Sequence, residues 1–137
     1  MGGFKYSELE LGQKATFTKT ISESDVYLFA GISGDTNPMH LDKTYAEQTP
    51  FGQRIAHGML TAGLISTVIG VHLPGPGSVY MSQSLKFMAP VKFGDTITAS
   101  AEIIDKNDEK KRVTLKTECV NQDGTVVLTG EALVKAP

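Results

Sequence analysis

Polar and apolar residues alternate through KATFTKTI, Lys14 to Ile21, the two-residue period of a strand with one buried face. The period then changes. SESD opens a helical stretch whose apolar face is Val26, Phe29, Ala30 and Ile32. Ser22 can accept from free first-turn N–H groups, and Asp25 three residues later completes a variant capping box. Gly34 is placed to end this helix, because glycine enters the left-handed conformation without steric cost. DKTYAEQ predicts a short helix capped by Asp42, and the turn formers of TPFGQRIAHG follow it. GMLTAGLISTVIGVHL, Gly58 to Leu73, is apolar on nearly every side, which predicts a helix enclosed by protein on all faces.

Beyond LPGPGS the strand period returns in four runs: Val79–Met88, Thr96–Lys106, Arg112–Gln122 and Thr125–Lys135. NDEK and QDG are tight links between the last three, and Asp123-Gly124 is a strong hairpin signal. Short links make antiparallel neighbours. One strand, helices, a buried helix and then a meander pack most simply as a long helix wrapped by a curved antiparallel sheet, an α+β domain.

Composition narrows the function classes. The 137 residues suit one domain, residues 1–137, with no repeats or linkers. A net charge of −2 argues against a general nucleic-acid binder. Gly58–Leu73 is shorter than the roughly 20 apolar residues of a membrane span and carries Thr61, Ser66, Thr67 and His72. The N-terminal MGGFKYSELELGQK lacks the basic start and apolar core of a secretion signal. The lone Cys119 excludes an intrachain disulfide and agrees with a cytoplasmic setting. No phosphate-binding glycine loop or Gly-x-Ser-x-Gly elbow is present.

The chemistry gathers in AGISGDTNPMH, Ala30 to His40. Pro38 fixes its own φ and drives Asn37 to an extended conformation, so the chain from Asp35 to His40 is stiff. A stiff bend can aim a carboxylate and an imidazole at one water, an acid/base pair. The residues taken alone also allow Asp35 to be a solvated turn residue and His40 a surface or capping histidine. Gly58 starts the long helix, and its N–H is a free donor at the positive end of the dipole. Such a donor can polarise a carbonyl. Ser66, two turns in, suits either a ligand contact or a bond back to a carbonyl one turn earlier. His57 with His40 and Asp35 matches no compact zinc spacing, so no metal is expected.

GDTNPMH, followed by Ala46 and HGML, resembles the hydratase 2 motif of the MaoC-like, R-specific enoyl-CoA hydratases. GPGSVYMSQSLKFMAPVKFGDTITASAEI is similar to the same family's first sheet strands. The resemblance runs from about Leu11 to Pro137 and is to the short, single-domain hydratases that supply monomers for polyhydroxyalkanoate synthesis. It implies a hot dog fold, a homodimer with sheets joined edge to edge, and reversible hydration of trans-2-enoyl-CoA to (R)-3-hydroxyacyl-CoA. It puts the catalytic pair on Asp35 and His40 and the thioester-binding N–H on Gly58. Ser66 falls on an active-site serine, and Asn37 joins the substrate-binding side as a brace for the loop. No cofactor, nucleic acid or membrane is implied. Lys43, Arg54, Lys86 and Lys92 are candidate partners for the CoA phosphates. An acyl-CoA thioesterase and a non-catalytic acyl-CoA-binding protein are alternatives on the same fold.

Overall fold

Residues 2–137 are described by a computed structural model. After a 3₁₀ turn at Tyr6–Glu8 come β1 (Lys14–Thr20), α1 (Glu23–Ser33), α2 (Pro38–Leu41), α3 (Lys43–Glu47) and α4 (Gly58–Thr67). A π-helical turn, Val68–His72, prolongs α4. The second half holds β2 (Val79–Gln83), β3 (Lys86–Phe87), β4 (Thr96–Asn107), β5 (Arg112–Val120) and β6 (Val126–Lys135). All six strands form one antiparallel sheet in the order β1-β4-β5-β6-β2, with β3 also paired to β6.

Local sequence accounts for most boundaries. The Ser22 hydroxyl accepts from Asp25 N–H at 3.1 Å, and the Asp25 carboxylate accepts from Ser22 N–H at 2.9 Å, the reciprocal capping box. Gly34 ends α1 at φ 78°, its N–H bonded to Ala30 O at 2.9 Å. Asp42 caps α3 through Tyr45 N–H at 3.1 Å.

Register sets the seat of the long helix. Phe17, Ala99, Cys119 and Leu128 lie opposite one another across β1, β4, β5 and β6. Ala99 and Cys119 are small and fully buried, so α4 comes close, with Cys119 Sγ 3.9 Å from Thr61 O. Leu64, Ile65, Val68 and Ile69 pack there against Ile97, Ile103, Leu115 and Leu128. Each large apolar side chain so buried contributes about 1.5–3 kcal/mol. Burial pushes the Cys119 thiol up to about 12, helped by Glu118; it is a core residue.

Two expectations are corrected. Val79–Met88 is not one strand. At Gly130 a Cβ would lie 1.8 Å from Ser84 O, and Ser84 N–H donates to Glu131 O at 2.9 Å. The chain steps over Gly130 there, separating β2 from β3. Nor is α4 enclosed on all sides within one chain. Met59, Gly63, Ser66 and Gly70 form an exposed stripe at helical spacing, and Met59 is 56% exposed. Apolar composition showed that these positions tolerate burial, not that this chain supplies the cover.

Candidate active site

Asp35 leaves the left-handed Gly34 and is fixed by its own backbone. Its N–H donates to Ser33 Oγ at 3.1 Å, and its carboxylate accepts from Asn37 N–H at 3.2 Å. The Asn37 amide oxygen accepts from Met39 N–H at 3.1 Å and caps α2, with Pro38 at the first helical position. Asn37 therefore braces the bend, and its side chain is exposed. One turn of α2 brings His40 inward, where it is 7% exposed.

His40 Nδ1 lies 2.7 Å from Ile55 O. A carbonyl only accepts, so Nδ1 carries the proton and the neutral ring keeps its lone pair on Nε2. Ile55 is itself held by a bridge to Lys92, and Ala56 N–H donates to Val91 O at 2.8 Å. The tautomer is thus fixed by a carbonyl that the sheet margin anchors.

The turn after α3 delivers His57 to the same place. Its Nε2 is 2.9 Å from Asp35 O. Its ring stacks on His40 with centroids 3.9 Å apart and 29° between planes. One carboxylate oxygen of Asp35 and one ring nitrogen from each of His40 and His57 all lie within 4.8 Å of one another. The bend thus brings Asp35 and His40 together, and the fold adds His57, whose spacing in the sequence does not point to this cluster. The cluster has the residue types of a metal site. Two of these groups are already engaged through other atoms, His40 Nδ1 with Ile55 O and His57 Nε2 with Asp35 O.

These side chains line a cavity of about 470 Å³ with Gly58, Thr61, Met39, Phe51, Phe87 and Met88. His57 is the N-cap residue of α4, but its side chain makes no cap bond. The N–H groups of Leu60 and Thr61 both turn to His57 O. Gly58 N–H, at the first position of the helix, is left as a first-turn donor at the cavity wall. Gly58 also has little room for a side chain, because a Cβ there would lie 2.6 Å from the Phe87 ring. The strand break at Gly130 lets β3 lay Phe87 and Met88 along this wall, and nothing local in the sequence marked those two for the site. Thr61 is a further addition. It is 2% exposed, and its hydroxyl has no partner.

Ser66 is not brought to this cavity. It lies on the exposed stripe of α4, outside the lining residues. Among the expected cations, Arg54 is already engaged, with Nη2 3.0 Å from Glu23 Oε1 and Nη1 2.7 Å from Tyr27 OH. It borders a smaller depression of about 200 Å³ together with Lys43 and Phe93. No helix among the described residues is long and apolar enough to cross a membrane.

Comparison with known proteins agrees with this architecture. Residues 7–123 match the MaoC like domain. The chain is 54% identical over 132 residues to an (R)-specific enoyl-CoA hydratase of Rhodospirillum rubrum, covering 96% of this chain and 91% of that one. It superposes on the unliganded R-hydratase PhaJ1 of Pseudomonas aeruginosa with a TM-score of 0.94 and 50% identity, covering 98% and 86% of the two chains. For the (R)-hydratase of A. caviae involved in PHA biosynthesis the values are 0.91 and 46%, covering 94% and 98%. The fold is the hot dog arrangement of those R-hydratases.

Proposed function

The chain belongs to the MaoC-like domain family, and from that premise we propose that it is an enoyl-CoA hydratase, adding water reversibly to trans-2-enoyl-CoA to give (R)-3-hydroxyacyl-CoA. The observation that carries this reading is the fixed His40 tautomer: Nδ1–H is committed to Ile55 O, so Nε2 keeps its lone pair on a ring that clusters with the Asp35 carboxylate, in a cavity also lined by Gly58 at the start of α4.

Asp35 and His40 hold one water between them. As its oxygen bonds to C3, its proton moves to the pair, and charge builds on the thioester oxygen. Gly58 N–H, at the positive end of α4, meets that charge where it develops. The pair returns a proton to C2 on the same face, and the enolate collapses to the saturated thioester. The apolar wall of Met39, Phe51, Phe87 and Met88 gives the acyl group a dry seat. No cofactor enters these steps.

The protein works as one domain spanning residues 1–137 and as a homodimer. The uncovered stripe of Met59, Gly63, Ser66 and Gly70 supports a second copy packed along α4. The substrate is a CoA thioester in the cytoplasm, and the product is of the kind drawn into polyhydroxyalkanoate synthesis. The test is to follow enoyl absorbance and free thiol together with crotonyl-CoA. Loss of absorbance without thiol, giving the R product, supports the reading. Thiol release from a saturated acyl-CoA would instead identify a thioesterase.

A further inference from the structure

We propose that His57 is a positioning residue for hydration: it holds the Asp35 bend and the His40 ring in the geometry that grips the attacking water. This inference rests on the assignment of Asp35 and His40 above.

Three observations converge on it. His57 Nε2 is 2.9 Å from Asp35 O, and since the carbonyl can only accept, Nε2 carries the proton and donates. This bond ties the bend to the start of α4 across 22 positions of sequence. The same ring lies flat against His40, 3.9 Å between centroids, and is backed by Phe29 at 4.7 Å. His40 is thereby clamped between the Ile55 carbonyl at its edge and the His57 ring on its face.

The third observation separates positioning from packing. With the proton on Nε2, His57 Nδ1 is a lone-pair nitrogen, and it is buried without a partner in a residue 1% exposed. A buried acceptor with no donor works against folding. A phenylalanine would give the same stacking surface without that cost. Asp35, by contrast, is exposed and its carbonyl bond to His57 is only part-buried, so water has a route to that carbonyl if the imidazole is removed. Folding therefore gains little from a histidine here. What only the imidazole combines is a flat face for His40 and an N–H for the Asp35 backbone.

The test compares His57→Phe, which keeps the ring and loses the donor, with His57→Gln, whose amide can carry an N–H to the Nε2 position. In the proposed role, His57→Phe lowers kcat about 10- to 100-fold, the scale on which small misplacements of reacting groups act. KM changes by less than about threefold, because binding is not what is lost. Its melting temperature stays level or rises. His57→Gln recovers a large part of the lost kcat. In an Asp35→Asn background, His57→Phe costs little more, since both changes disable one unit. The inference is overturned if His57→Phe keeps kcat within about twofold, if Gln is no better than Phe, or if the Asp35 and His57 losses multiply. Should the Phe variant not fold, His57→Leu is read by the same criteria. Asp35→Asn and His40→Gln alone report on the underlying assignment. If those two stay active, that assignment fails. If they are dead and His57→Phe is not, only the role of His57 fails.

Discussion

His40 Nδ1 and the carbonyl of Ile55 stand 2.7 Å apart, and this one bond decides which nitrogen of the imidazole can act as a base. The bond occupies Nδ1–H, so Nε2 is the nitrogen left with a lone pair to accept a proton. The Asp35 carboxylate is fixed separately, by Asn37 N–H at 3.2 Å. The two groups are therefore oriented before any substrate arrives.

Asp35→Asn and His40→Gln should each lower kcat with crotonyl-CoA by about 10²- to 10⁴-fold, the usual worth of a positioned acid or base. Circular dichroism and melting should stay close to wild type for Asp35→Asn, because Asp35 is exposed. Ordinary turnover by either variant would remove the pair from the mechanism.

Gly58→Ala introduces a methyl whose carbon lies 2.6 Å from the Phe87 ring. That ring is 54% exposed and can swing away, so the variant should fold. The displaced ring and shifted helix start should cut kcat about 10- to 100-fold. Phe87→Ala in the Gly58→Ala background should restore part of the loss. Two independent, multiplying losses would show that crowding at Phe87 is not the cause.

Gly63→Arg puts a charged side chain on the open stripe of α4. In one chain nothing lies within 4 Å of the added Cβ, so the fold has room for it, and replacing a helical glycine favours the helix by up to about 1 kcal/mol. Light scattering should report a dimer for the wild type and half that mass for the variant. An unchanged mass would place the subunit contact elsewhere.

The capping box predicts an acid-limb effect. The backbone N–H of Ser22, and then Lys19 at 2.9 Å, hold the Asp25 carboxyl below its ordinary value of 3.8. A group depressed in the folded state stabilises above its unfolded value, and that contribution is lost as pH falls through the lower, folded value. Asp25→Asn should therefore destabilise near neutral pH, while the gap to wild type narrows below 3.8. Ser22→Ala should cost about 1 kcal/mol near neutral pH. Urea unfolding across that range checks both. A gap that does not narrow in acid would mean that the charge of Asp25 contributes nothing.

The sequence by itself determined whatever is settled within a few residues. The alternation of Lys14–Thr20, the Ser22–Asp25 box and the stop at Gly34 follow from side chains acting on their own backbone, and each stands where the chain's pattern put it, while the stiff stretch from Asp35 passes into the short helix Pro38–Leu41. The motif in that stretch was enough to suggest the chemistry. Tertiary structure alone decided what needed distant segments to meet. His57 reaches Asp35 from 22 positions away, and no periodicity encodes such an approach. Ser84 crosses Gly130 and breaks a run that alternates like one strand, because the close passage depends on a missing Cβ in another strand. The open face of α4 is of the same kind. Its residues announce that they can be buried, but which surface covers them depends on the shape of the folded molecule.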